Sequence, residues 1–142
     1  MAVTVRDMLR GKPGVYSVKP GDTVYDALQL MADKNIGAVI VRSDQRLEGI
    51  LSERDYARKV ILVGKTSRET LVKEIMTTSV VSIDPDWTAD QCMALMTEKR
   101  IRHLPVIERD RLVGVISIGD VVRAVVDDQQ FTITSLERYI TS

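Results

Sequence analysis

Shifted along itself by 65 residues, the chain repeats: Tyr16–Ile61 lies on Val81–Val126 without a gap, and fifteen of those 46 positions are identical. Ser17/Ser82, Pro20/Pro85, Thr23/Thr88, Gly49/Gly114, Ser52/Ser117 and Asp55/Asp120 are among them. A period this long, present twice, does not build an open solenoid. It implies two equivalent halves facing each other about a pseudo-twofold axis. Such an interface makes paired clefts, and clefts are where small ligands bind.

Composition narrows the classes. A length of 142 residues suffices for a real core, and no separate catalytic domain is expected. Twenty basic residues balance twenty acidic ones, so the basic excess that phosphate neutralisation needs is missing and no nucleic-acid partner is expected. The six aromatic residues, Tyr16, Tyr25, Tyr56, Trp87, Phe131 and Tyr139, do not interleave with basic ones as base-stacking platforms do. No apolar run is long enough to span a bilayer, and the start, Met-Ala-Val-Thr-Val-Arg-Asp, lacks a secretory pattern. The single Cys92 excludes an internal disulfide. A cytoplasmic protein without a membrane partner is the expectation.

Each copy reads as strand, helix, two-stranded hairpin, helix. In the first, Tyr16–Val18 leans to strand, and Thr23 with Asp26 starts a helix whose apolar face is Val24, Ala27, Leu28 and Met31. The second repeats this with Thr88, Gln91 and the face Ala89, Cys92, Met93, Met96, which makes Cys92 a small buried apolar residue. The runs 38–42 and 47–52, then 104–107 and 112–117, read as hairpins, closed by helices at 53–62 and 118–126. Similar amphipathic segments, Val5–Leu9 and Val72–Met76, precede the copies, offset by 67 rather than 65 residues. The expected boundaries are 1–66 and 67–127, each repeat with its leading segment, and a helical tail 128–142. In that tail Ile133, Leu136 and Ile140 form an apolar stripe for packing on the body or on a second subunit.

One motif occurs in both copies. Gly49-Ile-Leu-Ser52-Glu-Arg-Asp55 matches Gly114-Val-Ile-Ser117-Ile-Gly-Asp120, a buried strand ending in Ser with Asp three residues on, in the first helical turn. Ser-x-x-Asp at a helix start is first of all a capping pattern. The same geometry suits a nucleotide, because free N–H groups and the positive dipole end favour phosphate while a carboxylate accepts from vicinal ribose hydroxyls. Arg54 stands within the first motif, where its guanidinium fork matches phosphate oxygens. Arg102 and His103, the only histidine, begin the strand before the second motif; their equivalents Gly37 and Ala38 are small enough for close backbone approach. With no second histidine, an anion site is favoured over a metal site.

These residues carry a resemblance. Gly49–Val60 and Ile101–Val106 followed by Gly114–Asp120 resemble a pair of CBS domains, named for cystathionine β-synthase and together called a Bateman module, of the bacterial two-domain kind. The resemblance implies an α/β (α+β) fold of two βαββα units about a pseudo-dyad and an adenosine-containing ligand: AMP, ADP, ATP, NAD or S-adenosylmethionine. It implies that Ser52 and Asp55, then Ser117 and Asp120, meet phosphate and ribose. Arg102 and His103 would hold phosphates, and the backbone at Val15–Tyr16 and Val80–Val81 would flank adenine. Gly119, where the first copy has Arg54, leaves open whether both seats take the same ligand. No activated nucleophile or general-base pair stands out, so a non-enzymatic regulatory module is expected, a homodimer acting on another protein. A structural dimerisation module without nucleotide is the alternative.

Overall fold

The computed structural model describes residues 2–141; residues 1 and 142, the outer ends of the expected boundaries, lie outside the described residues. In chain order the elements are α1 (Val5–Leu9), β1 (Ser17–Val18), α2 (Val24–Lys34), β2 (Ala38–Ser43), β3 (Arg46–Ser52), α3 (Glu53–Lys59), α4 (Val72–Ile75), α5 (Ala89–Lys99), β4 (His103–Glu108), β5 (Arg111–Ser117) and α6 (Ile118–Thr141). They form two compact units. The first holds residues 14–81 and 109–112; the second holds, of the described residues, 2–13, 82–108 and 113–141.

In the first unit, β1, β2 and β3 form a sheet in that order. β1 runs parallel to β2, with Ser17 opposite Ile40, and β2 runs antiparallel to β3, with Ala38 opposite Ser52. Thr23 caps α2 by accepting from the Asp26 N–H, as the sequence implied. Asn35 ends the helix at φ 54, and the Ile36 N–H reaches back to the Met31 carbonyl at 3.0 Å, a Schellman closure. The core joins Val24, Ala27 and Met31 of α2 to Val39, Val41 and Leu51 of the sheet. Val72 and Ile75 of α4 complete it.

The second unit repeats the plan with one strand fewer. Thr88 and Gln91 form the expected capping box on α5, and Arg100 closes the helix at φ 56. β4 and β5 pair through a turn whose central residues, Arg109 and Asp110, both have positive φ, the geometry that matches strand twist. The expected counterpart of β1 shrinks to a bridge between Ile83 and Val106. Pro105 is the reason. It stands where the first repeat has Ile40, whose N–H donates to the Tyr16 carbonyl, and proline has no N–H to give. Ala89, Cys92, Met96, Leu104, Val106, Ile116 and Val121 are buried here, together with Val5 of α1. Burial pushes the Cys92 thiol up to about 11, which suits an inert apolar role.

Two boundaries differ from the sequence reading. The helix expected over 53–62 ends at Lys59 and continues as a single 3₁₀ turn, Ile61–Val63. The helix expected to stop at 126 runs on through the tail as one element of 24 residues, since nothing in Asp127–Gln130 breaks it.

The leading segments also exchange. α1 lies in the second unit, where the Val5 N–H donates to the Trp87 carbonyl at 2.7 Å and the Ala89 N–H to the Val3 carbonyl at 2.8 Å. α4 lies in the first, where Thr77 and Ile50 exchange backbone hydrogen bonds at 2.9 and 3.0 Å. Each segment therefore packs with the repeat that it does not immediately precede.

Candidate functional site

Both Ser-x-x-Asp motifs fall where the last strand of a repeat turns into a helix, and both act as caps. At the start of α3, the Ser52 N–H and hydroxyl each donate to Asp55 Oδ2 at 3.0 Å, while the Asp55 N–H donates to Ser52 Oγ at 3.1 Å. At the start of α6, the Ser117 N–H donates to Asp120 Oδ2 at 2.9 Å and the Asp120 N–H to Ser117 Oγ at 3.2 Å. The first helical N–H of each is also engaged, Glu53 donating to the Gly37 carbonyl and Ile118 to the Arg102 carbonyl. That pair of bonds ties Gly37 and Arg102, one residue ahead of Ala38 and His103, to the two motifs.

The outer oxygens of the two carboxylates differ. Among the described residues, Asp55 Oδ1 has only long contacts, Lys59 Nζ at 3.4 Å and Thr77 Oγ1 at 3.5 Å. Asp120 is held on both sides. Lys12 Nζ donates to its Oδ2 at 2.5 Å, and Arg123 Nη2 donates to its Oδ1 at 2.8 Å. Burial pushes the Asp120 carboxyl up, but the hydrogen bond from Lys12 and those from Ser117 outweigh it, and the group sits below its ordinary 3.8. The Lys12 ammonium also donates to the Val115 carbonyl at 3.0 Å. In the first unit the equivalent carbonyl, Ile50, accepts from the Thr77 N–H instead.

His103 is half-buried beside this group. Burial, then Lys12, then Arg102 lower its pKa below 6.5, against an upward pull from Asp120. It therefore stands neutral at pH 7, and the cationic character belongs to Lys12 and Arg102. Sequence reasoning missed Lys12. Its one trace there is the offset of the leading segments, 67 rather than 65: the extra two residues fall in the loop 10–15 that carries Lys12.

Arg54 is exposed on α3, and Val15 and Tyr16 lead into β1, with Lys34 Nζ 5.1 Å from the Tyr16 ring centroid. Val80 and Val81 belong to the end of the first unit. An open cleft of about 320 Å³ in the first unit takes in Gly37, Ile36 and Glu53, but neither Ser52 nor Asp55 lines it.

The duplicated cap and its hairpin are characteristic enough to compare with known proteins. The model of the CBS domain matches this chain twice, over residues 5–62 and 72–127. The chain belongs to the CBS domain family. The CBS domain-containing protein CBSX3, mitochondrial, of Arabidopsis thaliana is 44% identical over 124 residues, 84% of this chain and 60% of that protein. This chain thus spans about three fifths of that relative's length. YhcV of Bacillus subtilis, another CBS domain-containing protein, is 35% identical over 106 residues, 75% of each chain. Among solved structures, a protein with CBS domains from Burkholderia ambifaria superposes with TM-score 0.84 at 51% identity, covering 92% of this chain and 99% of that one. The mixed α+β architecture is therefore a tandem CBS pair, and the Ser-x-x-Asp caps are features of its two CBS repeats.

Proposed function

We propose that this CBS pair is a non-enzymatic regulatory module that binds an adenosine-containing ligand: AMP, ADP, ATP or NAD. Asp55 carries the reading. Its Oδ2 is spent on the cap, while Oδ1 has no contact shorter than 3.4 Å among the described residues, so ribose hydroxyls can donate to it without displacing a strong partner. Ser52 Oγ and the exposed Arg54 stand beside it for phosphate. The Burkholderia relative has been put forward as a signal-transduction protein, which agrees with a binding module whose occupancy a partner reads. As part of the same reading, the module works as a homodimer.

Asp120 is the second seat, and Lys12 must leave its Oδ2 or be shared with ligand phosphate before ribose can dock. The two seats then differ in affinity. Zinc is the weaker reading. The solved Hypoxic Response Protein I, 30% identical with TM-score 0.73, holds two coordinated zinc ions. This chain has one histidine and one cysteine, and its described residues contain no group of three His, Cys, Asp or Glu side chains placed to hold a metal.

Thermal melting with AMP, ADP, ATP, NAD and S-adenosylmethionine tests the reading. A ligand at about 100 times its Kd adds about 2.7 kcal/mol, on the order of 10 °C for a chain of this size. Asp55→Ala should abolish most of the shift, and Lys12→Met should enlarge what remains. If no adenosine compound moves the melt, the structural dimerisation module, with both aspartates serving only as caps, takes its place.

A further inference from the structure

The tail stripe lies exposed. On α6, Val122, Val126, Ile133, Leu136 and Ile140 are 43, 54, 48, 56 and 80% exposed, whereas the adjacent Val121 is fully buried. With Gln129, also exposed, they follow one another at intervals of four, three, four, three and four residues. That is the d–a alternation of a coiled-coil seam, about 27 Å long at 1.5 Å per residue.

We propose that α6 pairs antiparallel with α6 of a second copy of this chain, about a twofold axis at residue 131. The inference rests on the dimeric part of the reading above and is independent of the ligand. In this register Val122 faces Ile140 of the second copy, Val126 faces Leu136 and Gln129 faces Ile133, each pair occurring twice by symmetry. Every seam residue is matched with one of the other heptad class, as antiparallel coils require. A shift by one heptad in either direction leaves two layers without partners.

Charge selects the direction. Arg123 and Glu137 occupy flanking positions of the same class, which oppose each other in an antiparallel pair. Arg123 therefore meets Glu137 of the second copy at both ends, and Gln130 meets its own counterpart at the centre. A parallel pair would set Arg123 against Ile118 and Glu137 against residue 132, with no charge pair at all. The Arg123 side chain is 73% exposed and spends one nitrogen on Asp120, so its fork has further N–H groups to offer. A body-packed helix would have no use for this symmetry in an exposed stripe.

The full chain with Gln130→Cys or Ile133→Cys reports the register, since the native Cys92 is buried. On mild oxidation with diamide, Gln130→Cys should form a covalent dimer and Ile133→Cys should not. By sedimentation equilibrium the unmodified chain should be a dimer and Leu136→Asp a monomer. Arg123→Glu should weaken dimerisation by about tenfold, and adding Glu137→Arg should restore it. A monomeric unmodified chain overturns this inference and the dimeric reading together. A dimer that survives Leu136→Asp, or that fails to cross-link at position 130, overturns the α6 pairing alone. Cross-linking through Ile133→Cys means parallel helices and overturns it as well.

Discussion

Asp55 and Asp120 hold the same place in the repeat but keep different electrostatic company. One has a distant lysine; the other has Lys12 at 2.5 Å and Arg123 at 2.8 Å. Burial, with the cationic surroundings of Asp120 second, sets the charge of His103. Its pKa is lowered in the folded state, chiefly by burial and then by Lys12, so the unfolded chain takes up the proton first as acid is added. The unfolded state then binds more protons, and stability rises with pH across that window. Stability should accordingly be full above about pH 7.5 and fall as pH drops through 6.5 toward the lower folded value. Asp120, held below 3.8, contributes stability that is present above 3.8 and lost only at lower pH, so it does not confound the window. Urea midpoints followed between about pH 7.5 and about pH 5.5 should decline for the native chain and stay nearly flat for His103→Gln. A slope unchanged by that substitution would assign the acid sensitivity elsewhere, although the chain has no other histidine.

At the scale of elements, the apolar runs joined by polar loops and the Thr caps made both hairpins and helices α2 and α5 legible. Their hydrogen bonds are local and their side chains announce them. The lost strand in the second repeat was also written there, as Pro105 in the place of Ile40, but its meaning depends on a parallel partner far away in sequence. The site was half legible: the motif is contiguous, whereas Lys12 reaches Asp120 across 108 residues. Gly49 and Gly114 show the same limit. A methyl at Gly49 would lie 2.6 Å from the backbone carbonyl of Thr77; at Gly114 it would lie 2.5 Å from the Cδ2 end of Leu9. The shorter distance is the milder clash, because a leucine tip can rotate and a bridged carbonyl cannot. Gly49→Ala should cost about 2–3 kcal/mol and Gly114→Ala about 1 kcal/mol, read from urea midpoints at constant slope. The reverse order would mean that Leu9, not Thr77, is the rigid neighbour.

At the scale of the whole chain, the repeat is contiguous in sequence but the folded units are not. Reading along the chain joins each leading segment to the repeat that follows it, dividing the molecule after residue 66. The packing exchanges them, with Val5 buried in the second unit and Val72 and Ile75 in the core of the first. Hydrophobic pattern reveals that such a segment needs a partner, but not which of two similar repeats receives it. Exchange also means that a repeat cut out with its own leading segment lacks the one that fills its core. Val5 supplies a direct test, because it is fully buried and its N–H is bound to the Trp87 carbonyl. Val5→Ala should cost about 2 kcal/mol through the cavity it leaves. Hydrogen exchange should localise the loss. Amides in residues 82–108 and 113–127 should lose protection, while those in 14–81 keep most of theirs. Equal loss in both units would show that α1 supports the two repeats alike. Loss confined to residues 14–81 would place it with the repeat it precedes.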